Sequence, residues 1–141
     1  MADSTRTIGE VRVGDELPEL AIDITRTLIV ATAIASRDYQ DVHHDPALAR
    51  AKGSKDIFMN ILTTNGYVGR FVTDWAGPAA RLKAVKIRLG VPNYPGDRML
   101  MTGRVEQVDA ASGEVEVRVR GANRLGDHVS GSVRVALPAQ R

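Results

Sequence analysis

Cysteine is absent from the 141 residues, which excludes a disulfide framework, a thiolate metal site and a cysteine nucleophile. Aromatic residues make up only 4% of the chain and the net charge is only +2, so the stacking platforms and basic field of a nucleic-acid binder are missing. Three histidines without ligand spacing give no reason to expect a metal. No apolar run approaches a membrane span, and the start, MADSTRTIGE, lacks the apolar region of a secretory leader. A cytoplasmic chain with no membrane partner is expected. What is present is 43% hydrophobic and 26% charged residues, the make-up of a folded domain with its own core. One domain over 1–141 is expected, with the polar residues 1–7 flexible.

Hydrophobic periodicity divides the chain into an early strand, a helical half and a run of strands. Leu20, Ile22 and Ile24 alternate with polar or small residues as a half-buried strand does. Thr27 is placed to cap the segment LIVATAIAS, which is apolar nearly all round and is expected to be a buried helix, against an extended segment that its strand-forming Ile and Val residues also allow. Asp45 and Pro46 open a short helix over 46–52, stopped by Gly53. Asn60 caps ILTTNGYVGRFVTDW, where Ile61, Val68, Phe71, Val72 and Trp75 form one apolar stripe. Gly66 and Gly69 each cost that helix about 1 kcal/mol relative to alanine, so close packing on another backbone is expected of them. Ala76-Gly77-Pro78 ends it. Strands follow over 81–91, 99–108, 114–120 and 133–137, the first slipping phase near Ala84 as a bulge does. Short turns between them imply antiparallel neighbours. The class is α+β, with a curved antiparallel sheet expected to wrap around one long central helix over 61–75.

The chemistry-bearing stretch is residues 36–49, SRDYQDVHHDPALA. Asp38 and His43 stand five positions apart, bridged by residues that do not continue a helix, so a loop that doubles back can bring both to one water. General acid–base catalysis needs that pairing, an imidazole that titrates near neutrality and a carboxylate beside it. His44 rivals His43 for the role, and His128, next to a turn, reads as a surface or strand-edge residue.

These residues resemble the MaoC-like hydratases of the hotdog fold, whose motif runs S-G-D-x-N-P-I-H-x-D-x-x-x-A. Ser36, Asp38, His43, Asp45 and Ala49 match it without a gap. The stretch from Val91-Pro92 to Gly96-Asp97 resembles a turn of the same family. More narrowly, RDYQDVHHD, GSKDIFMNILT, VTDWAGP, RLGVP and LGDHV are similar to the small subunits of actinobacterial steroid side-chain enoyl-CoA hydratases. The resemblance implies hydration of a trans-2-enoyl-CoA by Asp38 and His43, with coenzyme A as part of the substrate and no separate cofactor. It also implies a larger MaoC-like partner subunit, which can carry a DUF35 domain, in a heterotetramer. Arg37, Gln40 and Asp41 depart from the family's Gly, Asn and Pro, and Met59-Asn60 stands where the family often has His-Gly. The backbone N–H of Asn60 is the expected donor to the thioester oxygen, against a plain helix cap. Lys83, Lys86 and Arg88 are candidates for the CoA phosphates, against plain solvated charge. Two other functions fit the same fold: an acyl-CoA thioesterase, and a non-catalytic assembly subunit.

Overall fold

The computed structural model of this chain describes residues 3–140. Five strands, β1 (Leu20–Asp23), β2 (Arg81–Leu89), β3 (Arg98–Asp109), β4 (Glu114–Asn123) and β5 (Gly126–Ala136), form one antiparallel sheet in the order β1-β3-β4-β5-β2. Alternation decides its faces. Val115, Val117 and Val119 of β4 are buried, whereas Arg118 and Arg120 point to solvent. On that outer face Arg118 pairs with Glu106 and Arg134 with Glu114. The phase slip expected in β2 is a register shift between Leu82 and Ala84 against β5.

Sequential neighbours fail at two places: β1 pairs with β3 and not with β2, and β2 is not beside β3. β2 pairs with β5 and not with β3, because the link 90–97 carries the chain from one edge of the sheet across to β3. That link is pinned along its length. Asn123 Nδ2 donates to Pro92 O and Asn93 Oδ1, Met59 N–H donates to Asn93 O, and Gly96 N–H donates to Ile24 O.

Three helices, α1 (Arg26–Ala35), α2 (Pro46–Ala51) and α3 (Ile61–Ala76), precede the run of strands. The expected cap of α1 at Thr27 lies two residues earlier, where Thr25 Oγ1 accepts from Leu28 N. Only Ile29 and Ala33 of α1 are buried and Ile34 is 52% exposed, so this apolar helix covers the core with one face instead of being enclosed. α3 is amphipathic, and Val68, Phe71, Val72 and Trp75 enter the core over β2 and β5. Phe71 lies on Gly103 of β3, where a Cβ would stand 2.7 Å from the ring. The reason expected for the two helical glycines does not hold. Gly66 meets nothing within 4 Å, and Gly69 meets the Leu82 side chain at 3.5 Å, not a backbone.

The α+β, hotdog-like architecture is therefore present, but the expected curved sheet wrapped around one long central helix is not. The sheet is open, with β1 and β2 as edges that do not pair with each other. Helical residues are divided among three helices and two 3-10 turns, Ile8–Glu10 and Asp41–His43. Even α3, with 16 residues at about 1.5 Å each, is shorter than β3, with 12 at about 3.3 Å each. The helical cover of the sheet is shared among pieces, not supplied by a single rod.

Of the start expected to be flexible, residues 1 and 2 lie outside the described residues. Residues 5 and 6 are tied down: Ala79 N–H donates to Thr5 Oγ1, and Arg6 N–H donates to Ala76 O. Gly77, at φ 99, ends α3 where a Cβ would strike the Thr5 backbone. Among the described residues no helix is long and apolar enough to cross a membrane.

Candidate active site

Asp38 owes its position to the end of α1. Arg37 N–H donates to Ile34 O and Asp38 N–H donates to Ala33 O, the paired bonds of a Schellman cap. The cap requires a left-handed residue just past the helix, and Arg37 supplies it at φ 55. At the position where the resembling motif has glycine, this chain holds an arginine in the left-handed region, at the cost of strain. Asp38 is thus held by the backbone of a helix terminus before its side chain makes any contact.

The 3-10 turn Asp41–His43 returns the chain, and Asp45 anchors it by accepting from Ala47 N and Leu48 N at the start of α2. Phe58 N–H donates to Val42 O on one side of the segment 57–60, and Met59 N–H donates to the 90–97 link on the other. His43, 5% exposed, lies against this segment with Nδ1 2.7 Å from Phe58 O. A carbonyl can only accept, so Nδ1 carries the proton and Nε2 is left to face the carboxylate. His43 Nε2 and Asp38 Oδ2 are 3.3 Å apart. In its neutral form this imidazole presents a lone pair there, so two acceptors converge and can share one water or one proton.

Asn60 completes the arrangement. Its Oδ1 accepts from Thr63 N at 3.0 Å, and its Nδ2 donates to Ser36 Oγ at 2.9 Å and to Asp38 Oδ2 at 3.1 Å. Its backbone N–H has no acceptor among the described residues. Burial alone pushes the Asp38 carboxyl up. The Asn60 amide, the Gln40 backbone N–H and the two neighbouring imidazoles outweigh it, and the group sits below its ordinary value of 3.8. A cleft of about 310 Å³ opens over these groups, lined by Asp38, His43, Phe58, Asn60 and Ile61 on one side and by Leu89, Val91, Pro92 and His128 on the other.

His44 is turned away from the chemistry: its Nε2 lies 2.7 Å from the backbone carbonyl of Asp38, not from the carboxylate. His128 is neither on the surface nor at a strand edge. It is 2% exposed, because β5 begins at Gly126, well before the expected strand over 133–137. Its Nδ1 is bound to Val91 O and its Nε2 to Thr64 Oγ1, and burial depresses its pKa. Lys83, Lys86 and Arg88 are exposed along β2 and do not line the cleft. The side-chain role of Asn60 and the cleft position of His128 were not anticipated, and only the polarity of Asn60 at a helix start hinted at the first. Among the described residues no cluster of three His, Asp or Glu side chains could hold a metal.

An antiparallel sheet carrying helices, with a carboxylate and an imidazole facing each other at the start of α3, is the arrangement of a MaoC-like domain. The chain belongs to the MaoC-like domain family, which matches residues 8–125. It is 52% identical over 125 residues to the 3-oxo-4,17-pregnadiene-20-carboxyl-CoA hydratase beta subunit of Mycobacterium tuberculosis, covering 89% of this chain and 95% of that one. Among solved structures it is similar to a chain of the ChsH1–ChsH2 complex from Mycobacterium tuberculosis, with TM-score 0.86 and 52% identity over 89% of this chain and 98% of that one. The (R)-hydratase of A. caviae involved in PHA biosynthesis, at TM-score 0.80 and 20% identity over 91% of this chain and 98% of that one, shares the fold.

Proposed function

We propose that this chain is an enoyl-CoA hydratase subunit, a hydro-lyase that adds water across the double bond conjugated to a CoA thioester, with a steroid side chain as the acyl group. The observation that carries this is the pair of acceptors, His43 Nε2 and Asp38 Oδ2, 3.3 Å apart at the wall of a cleft. The acyl class follows the relative, a hydratase of a pregnadiene carboxyl-CoA at 52% identity.

His43 Nε2 takes one proton of the water while Asp38 accepts a hydrogen bond from the O–H that remains, and the oxygen bonds to Cβ as a hydroxyl. The electron pair of the double bond moves toward the thioester oxygen. There the free Asn60 N–H, at the positive end of the 16-residue α3, meets the developing charge. His43 then returns its proton to Cα, so that one water is consumed and no group on the protein is changed. This chemistry needs neither a metal nor a redox group; coenzyme A belongs to the substrate.

A cleft of about 310 Å³ is at the lower end of ligand sites, which supports a second chain completing the pocket around a steroid and pantetheine. Exposed Ile61 and Leu62 near its rim support the same reading. The partner proposed is a larger MaoC-like subunit carrying a DUF35 domain, in a heterotetramer, and the location proposed is the cytoplasm. Of the basic candidates for the CoA phosphates, Arg88 adjoins the cleft-lining Leu89, which favours it over Lys83 and Lys86.

The test is hydration of steroid and straight-chain enoyl-CoAs by the chain co-expressed with such a partner. Asp38→Asn and His43→Ala each abolish turnover in an assembly of unchanged mass. Unaltered turnover in both variants would mean a non-catalytic subunit, and release of free CoA from a saturated thioester would mean a thioesterase.

A further inference from the structure

We propose that the Asn60 side chain, separately from its backbone N–H, is a positioning residue that holds the Asp38 carboxylate as an acceptor and leaves proton transfer to His43. The inference rests on the hydratase reading and deepens it. A carboxamide has one face that accepts and one that donates, and at Asn60 the accepting face is already committed. Oδ1 receives both Thr63 N–H and the Thr63 hydroxyl in capping α3. A flipped amide would set its NH₂ against the Thr63 N–H, donor against donor, so the orientation is locked by the helix start. The two N–H bonds therefore point one way, to Ser36 Oγ and Asp38 Oδ2. Ser36 is free to accept because its own hydroxyl donates to Thr32 O at 2.8 Å.

Asp38 is then gripped at both oxygens, Oδ1 by Gln40 N–H at 3.2 Å and Oδ2 by Asn60. With the plane of the carboxylate set, the remaining capacity of Oδ2 faces His43 Nε2. The same donors favour the ionised form, which keeps the proton on the imidazole side of the pair. Asn60 is 2% exposed, so no solvent competes for the amide. The helix cap and the carboxylate clamp are one side chain.

Asn60→Asp separates these roles. Aspartate caps a helix as well as asparagine, so α3 keeps its start, but it turns an acceptor toward Asp38 in place of a donor, and the second buried carboxylate lowers the melting temperature. In the full assembly, with a trans-2-enoyl-CoA as probe, kcat falls about a hundredfold. KM stays within about twofold, and the acid limb of the kcat/KM profile moves to higher pH by at least about one unit. Asn60→Gly, which removes the donor without adding charge, lowers kcat about tenfold and moves the limb in the same direction. It carries the test alone if the aspartate variant does not assemble. Wild-type kcat and an unmoved profile in the variants, alongside an inactive Asp38→Asn, would show that Asn60 only caps the helix and overturn the proposal. Full activity in Asp38→Asn would instead remove the hydratase reading beneath it.

Discussion

Replacing Arg37 by glycine should stabilise the protein and leave its chemistry intact. Arg37 is exposed, makes no ion pair among the described residues, and is held at φ 55. The left-handed region costs an L-residue about 1–2 kcal/mol, and glycine relieves that cost. Against this, glycine loses about 0.5–1 kcal/mol more backbone freedom on folding. The balance is a gain of about 0.5–1 kcal/mol, or roughly 1–4 °C in Tm for a chain of this size. The backbone bonds of the cap, Arg37 N–H to Ile34 O and Asp38 N–H to Ala33 O, need no side chain at residue 37. Asp38 therefore keeps its place, and kcat should change by less than about twofold. The assay is urea unfolding of Arg37→Gly beside Arg37→Ala, which keeps the left-handed strain and should match the wild type. A lower midpoint for glycine than for alanine would refute the reasoning, because it would mean that the strain at φ 55 carries no free-energy cost.

Three further perturbations test the core, α3 and the cleft. Gly103→Ala sets a methyl 2.7 Å from Phe71 Cε1, a rigid ring enclosed by core neighbours, and should cost about 1–3 kcal/mol by denaturant unfolding. Gly66→Ala, with nothing within 4 Å, should instead stabilise α3 by up to about 1 kcal/mol, measured in the same way. His128 is buried with its pKa depressed below the ordinary 6.5, so the unfolded chain binds a proton that the native chain resists. Its contribution to stability is complete above pH 6.5 and declines as the pH falls toward the folded value. The urea midpoint of the wild type should drop more steeply below that pH than that of His128→Gln. Equal slopes would show that His128 does not resist protonation.

The reach of local sequence is clear from the residues that came out as expected and from those that did not. Asp38 and His43 were legible as a pair because the turn between them is short and Asp45-Pro46 announces the next helix. Asn60 was legible as a cap because capping involves residues only three apart. The contact of Asn60 with Asp38, 22 residues away, had no local sign. His128 was misjudged because the alternation seen at Val133 and Val135 is broken upstream by Ser130, Gly131 and Ser132, which concealed the true start of β5. The strand order misled for a related reason: a short link suggests neighbouring strands, whereas 90–97 is extended enough to cross the sheet.

From sequence alone came the caps of α2 and α3, the two-faced strands, the bulge in β2 and the proximity of one carboxylate to one imidazole. Each of these is set by steric and hydrogen-bonding preferences among residues a few positions apart. The open sheet, the shared helical cover, the orientation of the Asn60 amide and the burial of His128 came only with the tertiary structure. They depend on how α3 seats against β2 and β5 and on where the 90–97 link is tied. Those choices minimise exposed apolar surface and unpaired polar groups over the whole chain, and no short window of residues contains that sum.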